Sequence, residues 1–270
     1  MAITTLDGAI AGFQFPRLIA KAVSGTLVAG RPWTTWALGG SPGAGSYDTT
    51  LNGVVLSSTS AQVAGQIPFT DPVSGNAYLA QMSATLLQSG LVILADRLWH
   101  NGGYTITATT AQNSTTPTFP ARDIAGSTNG DGVLLAVEVS AATGAGTPTI
   151  TISYTNQAGT SGRTATNIQA TVASSIAGTV YQIGLQAGDT GVRSVQSLTL
   201  SATWTSGTIN LVAYRPIAQL AMASAAGASQ LDTVTGGMPR MFNGSVPYLM
   251  GVPSVTTTTG IVGSVIYTHG

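Results

Sequence analysis

Val133-Leu134-Leu135-Ala136-Val137-Glu138-Val139 is the stretch that decides the fold class. Side chains alternate faces along a strand, so Val133, Leu135, Val137 and Val139 point one way while Glu138 points the other. Ile150, Ile152 and Tyr154 repeat the pattern against Thr149, Thr151 and Ser153, and Tyr181, Ile183 and Leu185 repeat it against Gln182 and Gly184. Leu198, Leu200, Ala202 and Trp204 alternate with Thr199, Ser201 and Thr203, and Ile209, Leu211 and Ala213 close the series. Short period-two segments separated by Gly, Ser, Thr and Asn turns predict an all-β protein, an antiparallel jelly-roll-like β-sandwich whose body spans residues 76–216.

The neighbouring sequence is read from that body outward. Leu91 to His100 reads as a buried strand that opens the body and emerges at Asp96-Arg97. Before it, Ser74-Gly75-Asn76 can cap a short helix with Tyr78, Leu79, Met82, Leu86 and Leu87 near helical spacing and Gly90 at its end, although Ser83 and Thr85 suit a strand equally. Residues 101–132 read as a long crossover connection. The alternation slips phase near Ser194–Ser197, which predicts a β-bulge, and Thr205-Ser206-Gly207 reads as a hairpin turn. Arg215-Pro216 is expected to end the series. A C-terminal extension, 217–270, carries an Ala-rich stretch and a last strand from Ile261 to Tyr267. Residues 1–75 are apolar without a period and are divided by Pro16, Pro32, Pro42, Pro68 and Pro72. They form either an irregular arm over a neighbour, in which case removing residues 1–40 should leave the body folded, or a cover for one end of the body itself.

Charged residues make up only 7% of the 270, nine basic against nine acidic, so the basic stripe that a phosphate backbone requires is missing and nucleic acid is not an expected partner. A neutral surface gives a monomer little protection against self-association, and eight arginines against one lysine (Lys21) suit interfaces; a homo-oligomer, trimer or dimer, is expected. Zero cysteines exclude disulfides and thiolate chemistry. The first residues lack a basic region before an apolar core and no apolar 18-mer occurs, so synthesis in the cytoplasm and no membrane helix are expected.

No catalytic constellation emerges. The two histidines, His100 at a strand end and His269 at the tail, read as a turn residue and a tail residue. No Gly-x-Ser-x-Gly elbow follows a strand. Of the acids only Glu138 lies in a clear strand, so paired carboxylates for glycoside hydrolysis have no evident source. Arg122-Asp123 and Asn129-Gly130-Asp131-Gly132 read as Asx-type turns, because the one-three-five ligand spacing of a calcium loop is missing. No metal or other cofactor is expected, and no enzyme activity. Phe13, Phe15, Trp33 and Trp36, in irregular sequence, are the candidate interface residues, with core packing the competing fate of the tryptophans.

The stretch Tyr181-Gln182-Ile183-Gly184-Leu185-Gln186-Ala187-Gly188-Asp189-Thr190-Gly191-Val192-Arg193-Ser194-Val195-Gln196-Ser197-Leu198, followed by Ser201-Ala202-Thr203-Trp204-Thr205-Ser206-Gly207-Thr208, resembles virion structural proteins of tailed bacteriophages, particularly the decoration or cement proteins of the head. The resemblance covers under a fifth of the chain and transfers no functional residue. It implies a sandwich or jelly-roll body, a symmetric oligomer on the capsid surface, the major capsid protein lattice as partner, and no catalysis. A tail-fibre, baseplate or carbohydrate-binding receptor protein is the alternative.

Overall fold

The computed structural model describes residues 3–23 and 25–270. Its strands are β1 (Arg17–Ala22), β2 (Trp33–Thr34), β3 (Gly40–Ser41), β4 (Val54–Val55), β5 (Ala77–Leu86), β6 (Gly90–His100), β7 (Gln112–Asn113), β8 (Leu134–Ala141), β9 (Ile150–Asn156), β10 (Arg163–Asn167), β11 (Val180–Gly184), β12 (Val192–Leu200), β13 (Thr208–Met222), β14 (Ala228–Leu231), β15 (Arg240–Met241), β16 (Pro247–Pro253) and β17 (Gly260–His269). Among the described residues the helical content is one α-helix, α1 (Leu6–Ala11), capped by the Thr5 side chain, and one 3-10 turn at Val63–Gly65. The all-β sandwich read from the sequence is the fold.

One sheet runs β2-β16-β6-β13-β8-β11-β10-β9-β12-β7 with β4 also on β6, every pairing antiparallel. It curls: β11 pairs with β8 through Val180–Gln182 and with β10 through Ile183 and Gly184, so it passes from one layer to the other. The order β8-β11-β10-β9 and the order β12-β9-β10-β11 are two overlapping Greek keys within this sheet. The alternating residues of the sequence reading meet between the layers. Leu135, Val137, Ile152, Tyr154, Leu198 and Leu211 are all buried in this first core.

A second sheet, β14-β5-β17-β1-β3 with β15 on β5, packs against the start of β6, the end of β13 and β16 around Leu79, Met82, Leu94, Leu220, Leu249 and Val265. The three-part division of the sequence therefore does not map onto the sheets, because β1 from the N-terminal region and β17 from the C-terminal extension are adjacent strands. Residues 77–86 form a strand and not the capped helix, since pairing with β17 over Ile261–His269 outweighs helical spacing. Arg215-Pro216 does not end the series: β13 continues to Met222, and Pro216, which has no N–H to donate, sits beside a register shift between Pro216 and Ala218. The bulge near Ser194–Ser197 is present as two register shifts on β12. Thr205-Ser206-Gly207 is a turn but not a hairpin, because β12 and β13 lie in opposite layers and pair with other strands.

Candidate functional site

Two places concentrate chemistry or exposed apolar surface. The first is a buried ion cluster on the outer face of the sandwich layer that contains β6, β13 and β8. Arg97 on β6 reaches across β13 to Glu138 on β8, donating through Nη1 to Oε1 at 2.9 Å, while Nη2 stands 2.8 Å from Oε2 but off the hydrogen-bonding axis. Its Nε donates to His100 Nδ1 at 3.1 Å, and His100 Nε2 lies 2.7 Å from Gln62 Oε1. The guanidinium is also stacked among aromatic rings, 4.4 Å from the Trp36 centroid, 5.4 Å from Tyr248 and 5.5 Å from Tyr47. Arg97, His100 and Glu138 are all fully buried.

Asp96, the neighbour of Arg97, is buried as well. Its Oδ2 is 3.2 Å from Arg122 Nε and accepts from Ser245 Oγ at 3.0 Å, and its Oδ1 accepts from the Val246 N–H at 2.8 Å. Arg122 in turn donates to the Arg97 carbonyl at 3.0 Å. The expectation that the strand emerges at Asp96-Arg97 is thus overturned. Residues 33–66 and the segment around Val246 cover this face, so the carboxylates of Asp96 and Glu138 face the guanidiniums of Arg97, Arg122 and Arg215 inside the molecule.

The electrostatics follow from burial. Loss of solvent, reinforced by the Arg97 charge, drives the His100 imidazole down to about 2, so it stays neutral and accepts at Nδ1. Burial and the Glu138 charge raise the Tyr47 phenol well above its ordinary range. His100 is consequently not the turn residue expected from its place in the sequence but the bridge between Arg97 and Gln62. Sequence reasoning missed Arg97, Gln62 and Tyr47. The available signal was a charged pair inside an apolar strand, and a lone Glu inside another.

The candidate interface residues divide. Trp33 and Trp36 lie in the chain's own cores, 1% and 0% exposed, which corrects their assignment as interface residues. Both rings need close backbone approach: a Cβ at Gly251 would stand 2.6 Å from Trp33, and one at Gly45 would stand 2.6 Å from Trp36. The Trp36 indole donates to the Ser46 carbonyl at 2.9 Å. Phe13 and Phe15 are exposed, Phe15 at 83%. They follow α1, whose Leu6 and Ile10, one helical turn apart, also face solvent while Ala9 is buried. This apolar rim is held by main-chain contacts, with the Gln14 N–H donating to Tyr267 O at 2.8 Å and Thr268 Oγ1 to Ala9 O at 2.5 Å.

Asp123 organises the loop before β8 as an Asx-type turn, accepting from the N–H groups of Ala125, Ser127 and Gly130 and from Ser127 Oγ. Burial raises its carboxyl, but the hydrogen bonds from Ser127, Ala125 and Asp131 together outweigh that and hold it below the usual carboxylate range. Among the described residues no three His, Cys, Asp or Glu gather as a metal site.

No protein-family model and no curated protein matches the sequence. Among solved structures, the VP2 subviral particle of infectious bursal disease virus overlaps 96% of this chain and 81% of its own at 9% identity and a TM-score of 0.17. The T=1 particles derived from the same virus overlap 96% and 79% at 9% identity and a TM-score of 0.15. Overlaps at such scores carry no argument about this chain.

Proposed function

We propose that this chain is a non-catalytic virion structural protein that binds a preformed capsid lattice and stiffens it by bridging subunits. The observation that carries the reading is the apolar rim Leu6, Ile10, Phe13 and Phe15, presented to solvent on backbone that is pinned to β17. Exposed apolar clusters mark partner surfaces, and anchors already ordered before binding lose little entropy on docking. The body beneath it is an antiparallel all-β sandwich, and the analogy with shell proteins rests on that architecture alone. Its ionised groups at Arg97, Glu138 and Asp96 are closed to solvent and to any substrate. Many identical modest contacts on a shell give strong retention, so no large interface is needed.

The test uses shells of the virus that encodes the chain. The variant Phe13→Ser/Phe15→Ser should keep the wild-type circular dichroism and melting profile, since Phe15 is nearly free, yet co-sediment with shells at least about tenfold more weakly. Saturation of shells equal to wild type would remove the rim from the contact. Recovery of the protein only from tails would replace the reading with the fibre or baseplate alternative.

A further inference from the structure

The second sheet covers its core with one face and leaves the other bare. Register defines what that bare face presents. Leu18, Ser264, Ser83 and Gln230 stand side by side across β1, β17, β5 and β14. Ala20, Val262, Thr85 and Ala228 form the next row. None of these eight residues ionises, whereas the solvent face of an antiparallel sheet is ordinarily polar and its outer strands carry charges that discourage pairing. The polar members are partly satisfied from within: Ser83 Oγ and Ser264 Oγ are 3.0 Å apart across the β5–β17 pair, so desolvating them costs little.

The relief of the face is lopsided. Leu18 and Val262 stand up on the β1 side, 70% and 60% exposed. Beside them Ser83, Thr85, Ala228 and Gln230 line a shallow trough of about 450 Å³ that opens on the same surface, with Val262 and Gly263 of β17 as its near wall. A ridge and a trough side by side on one face are self-complementary about a two-fold axis lying in the face, parallel to the strands and between β17 and β5. Rotation about that axis sets each ridge over the other copy's trough.

We infer that this face is a homodimer interface, two copies packing sheet on sheet through β14, β5, β17 and β1. The occupant is a second copy because the surface is its own complement in shape and carries no charge that a different partner would have to neutralise. Four strands about 4.8 Å apart and six residues rising about 3.4 Å each give a face of about 400 Å², or about 800 Å² buried in total. That falls at the low end of specific interfaces, so the dimer is weak alone and gains from further contacts in an assembly. The inference does not depend on lattice binding, and its test uses no shells.

Sedimentation of the full-length wild type should show a concentration-dependent monomer–dimer equilibrium. Val262→Lys, at an exposed position, should leave the fold intact and raise the dissociation constant at least about tenfold, because the two-fold brings like charges together. Phe13→Ser/Phe15→Ser should leave the dimer unchanged. The absence of native cysteine permits a direct check with a short bismaleimide: Val262→Cys should give a covalent dimer, and Val73→Cys, at a fully exposed loop position, should not. A wild type that remains monomeric up to about 1 mM, a dimer indifferent to Val262→Lys, or equal crosslinking of the two cysteine variants would each overturn it.

Discussion

At the residue scale, the ion cluster shows why a chain with so few charges hides several of them. Arg97 and Glu138 lose their hydration, and their mutual contact together with His100 and the stacked rings offsets that loss without making the pair a source of large net stability. Arg97→Met alone strands the Glu138 carboxylate and should cost about 3–5 kcal/mol, a large share of an ordinary domain's ~5–15 kcal/mol. Arg97→Met with Glu138→Leu should recover most of it, and equal urea midpoints for the single and double variants would show that the two residues are not coupled. Lys21 is a second hidden charge, its ammonium donating to Leu38 O at 2.6 Å and Gly43 O at 2.9 Å. Burial brings it down to about 8 from its ordinary 10.5, so the native state releases its proton first. The unfolded chain then holds more protons from about pH 8 upward, and stability rises with pH in that window. The gain ends near pH 10, where unfolded tyrosines ionise while burial keeps Tyr47, Tyr214 and Tyr248 protonated, and the sign reverses. Urea titrations at pH 7.5, 8.5 and 9.5 should show wild type gaining on Lys21→Met; parallel trends would refute the linkage. The charges themselves were legible in the sequence, but their burial was not, since only the fold brings residues 33–66 over that face.

At the element scale, strands whose partners lie close in sequence were the readable ones. The alternating segments that became β8, β9, β11, β12 and the first half of β13 were visible because each sends alternate apolar side chains into the same core, and the slip in β12 was visible because a bulge breaks period two. The element that misled was β5. Its Leu79, Met82 and Leu86 satisfy both a helix and a strand, and the choice is made by β17, which pairs with it from the far end of the chain. At Gly207 the local chemistry was right, with φ at +109°, yet a turn does not say which strands it joins. Pro216 misled in the opposite sense, because a missing N–H ends a strand only where the ladder requires that donor. Of the candidate interface, Phe13 and Phe15 are exposed, whereas Trp33 and Trp36 are packed against Gly251 and Gly45, which no local pattern connects to them.

At the scale of the whole molecule, three cores share strands. The long β6 and β13 each begin in one core and end in another: Trp99 and Leu211 pack inside the curled sheet, Leu94 and Leu220 against the second sheet. The second sheet in turn needs β1, whose Ile19 and Lys21 face inward between β17 and the loop that carries β3. Trp36, also from the N-terminal region, roofs the Arg97 cluster. The region before residue 75 is therefore not a detachable arm. A chain starting at residue 13 loses only α1 and the residues before it and should melt in one cooperative transition close to that of the full protein. A chain starting at residue 41 loses β1, Trp33 and Trp36 together; it uncovers β17, opens the second core and exposes the buried Arg97–Glu138 pair to water. Removal of even one large buried aromatic costs about 3–5 kcal/mol, so the combined loss exceeds what a domain of ordinary stability can withstand. Such a chain should be insoluble, or soluble without a cooperative melt and with strong binding of a hydrophobic dye. A cooperative, native-like melt from the chain starting at residue 41 would show that the curled sheet stands alone and that the second core is an accessory to it.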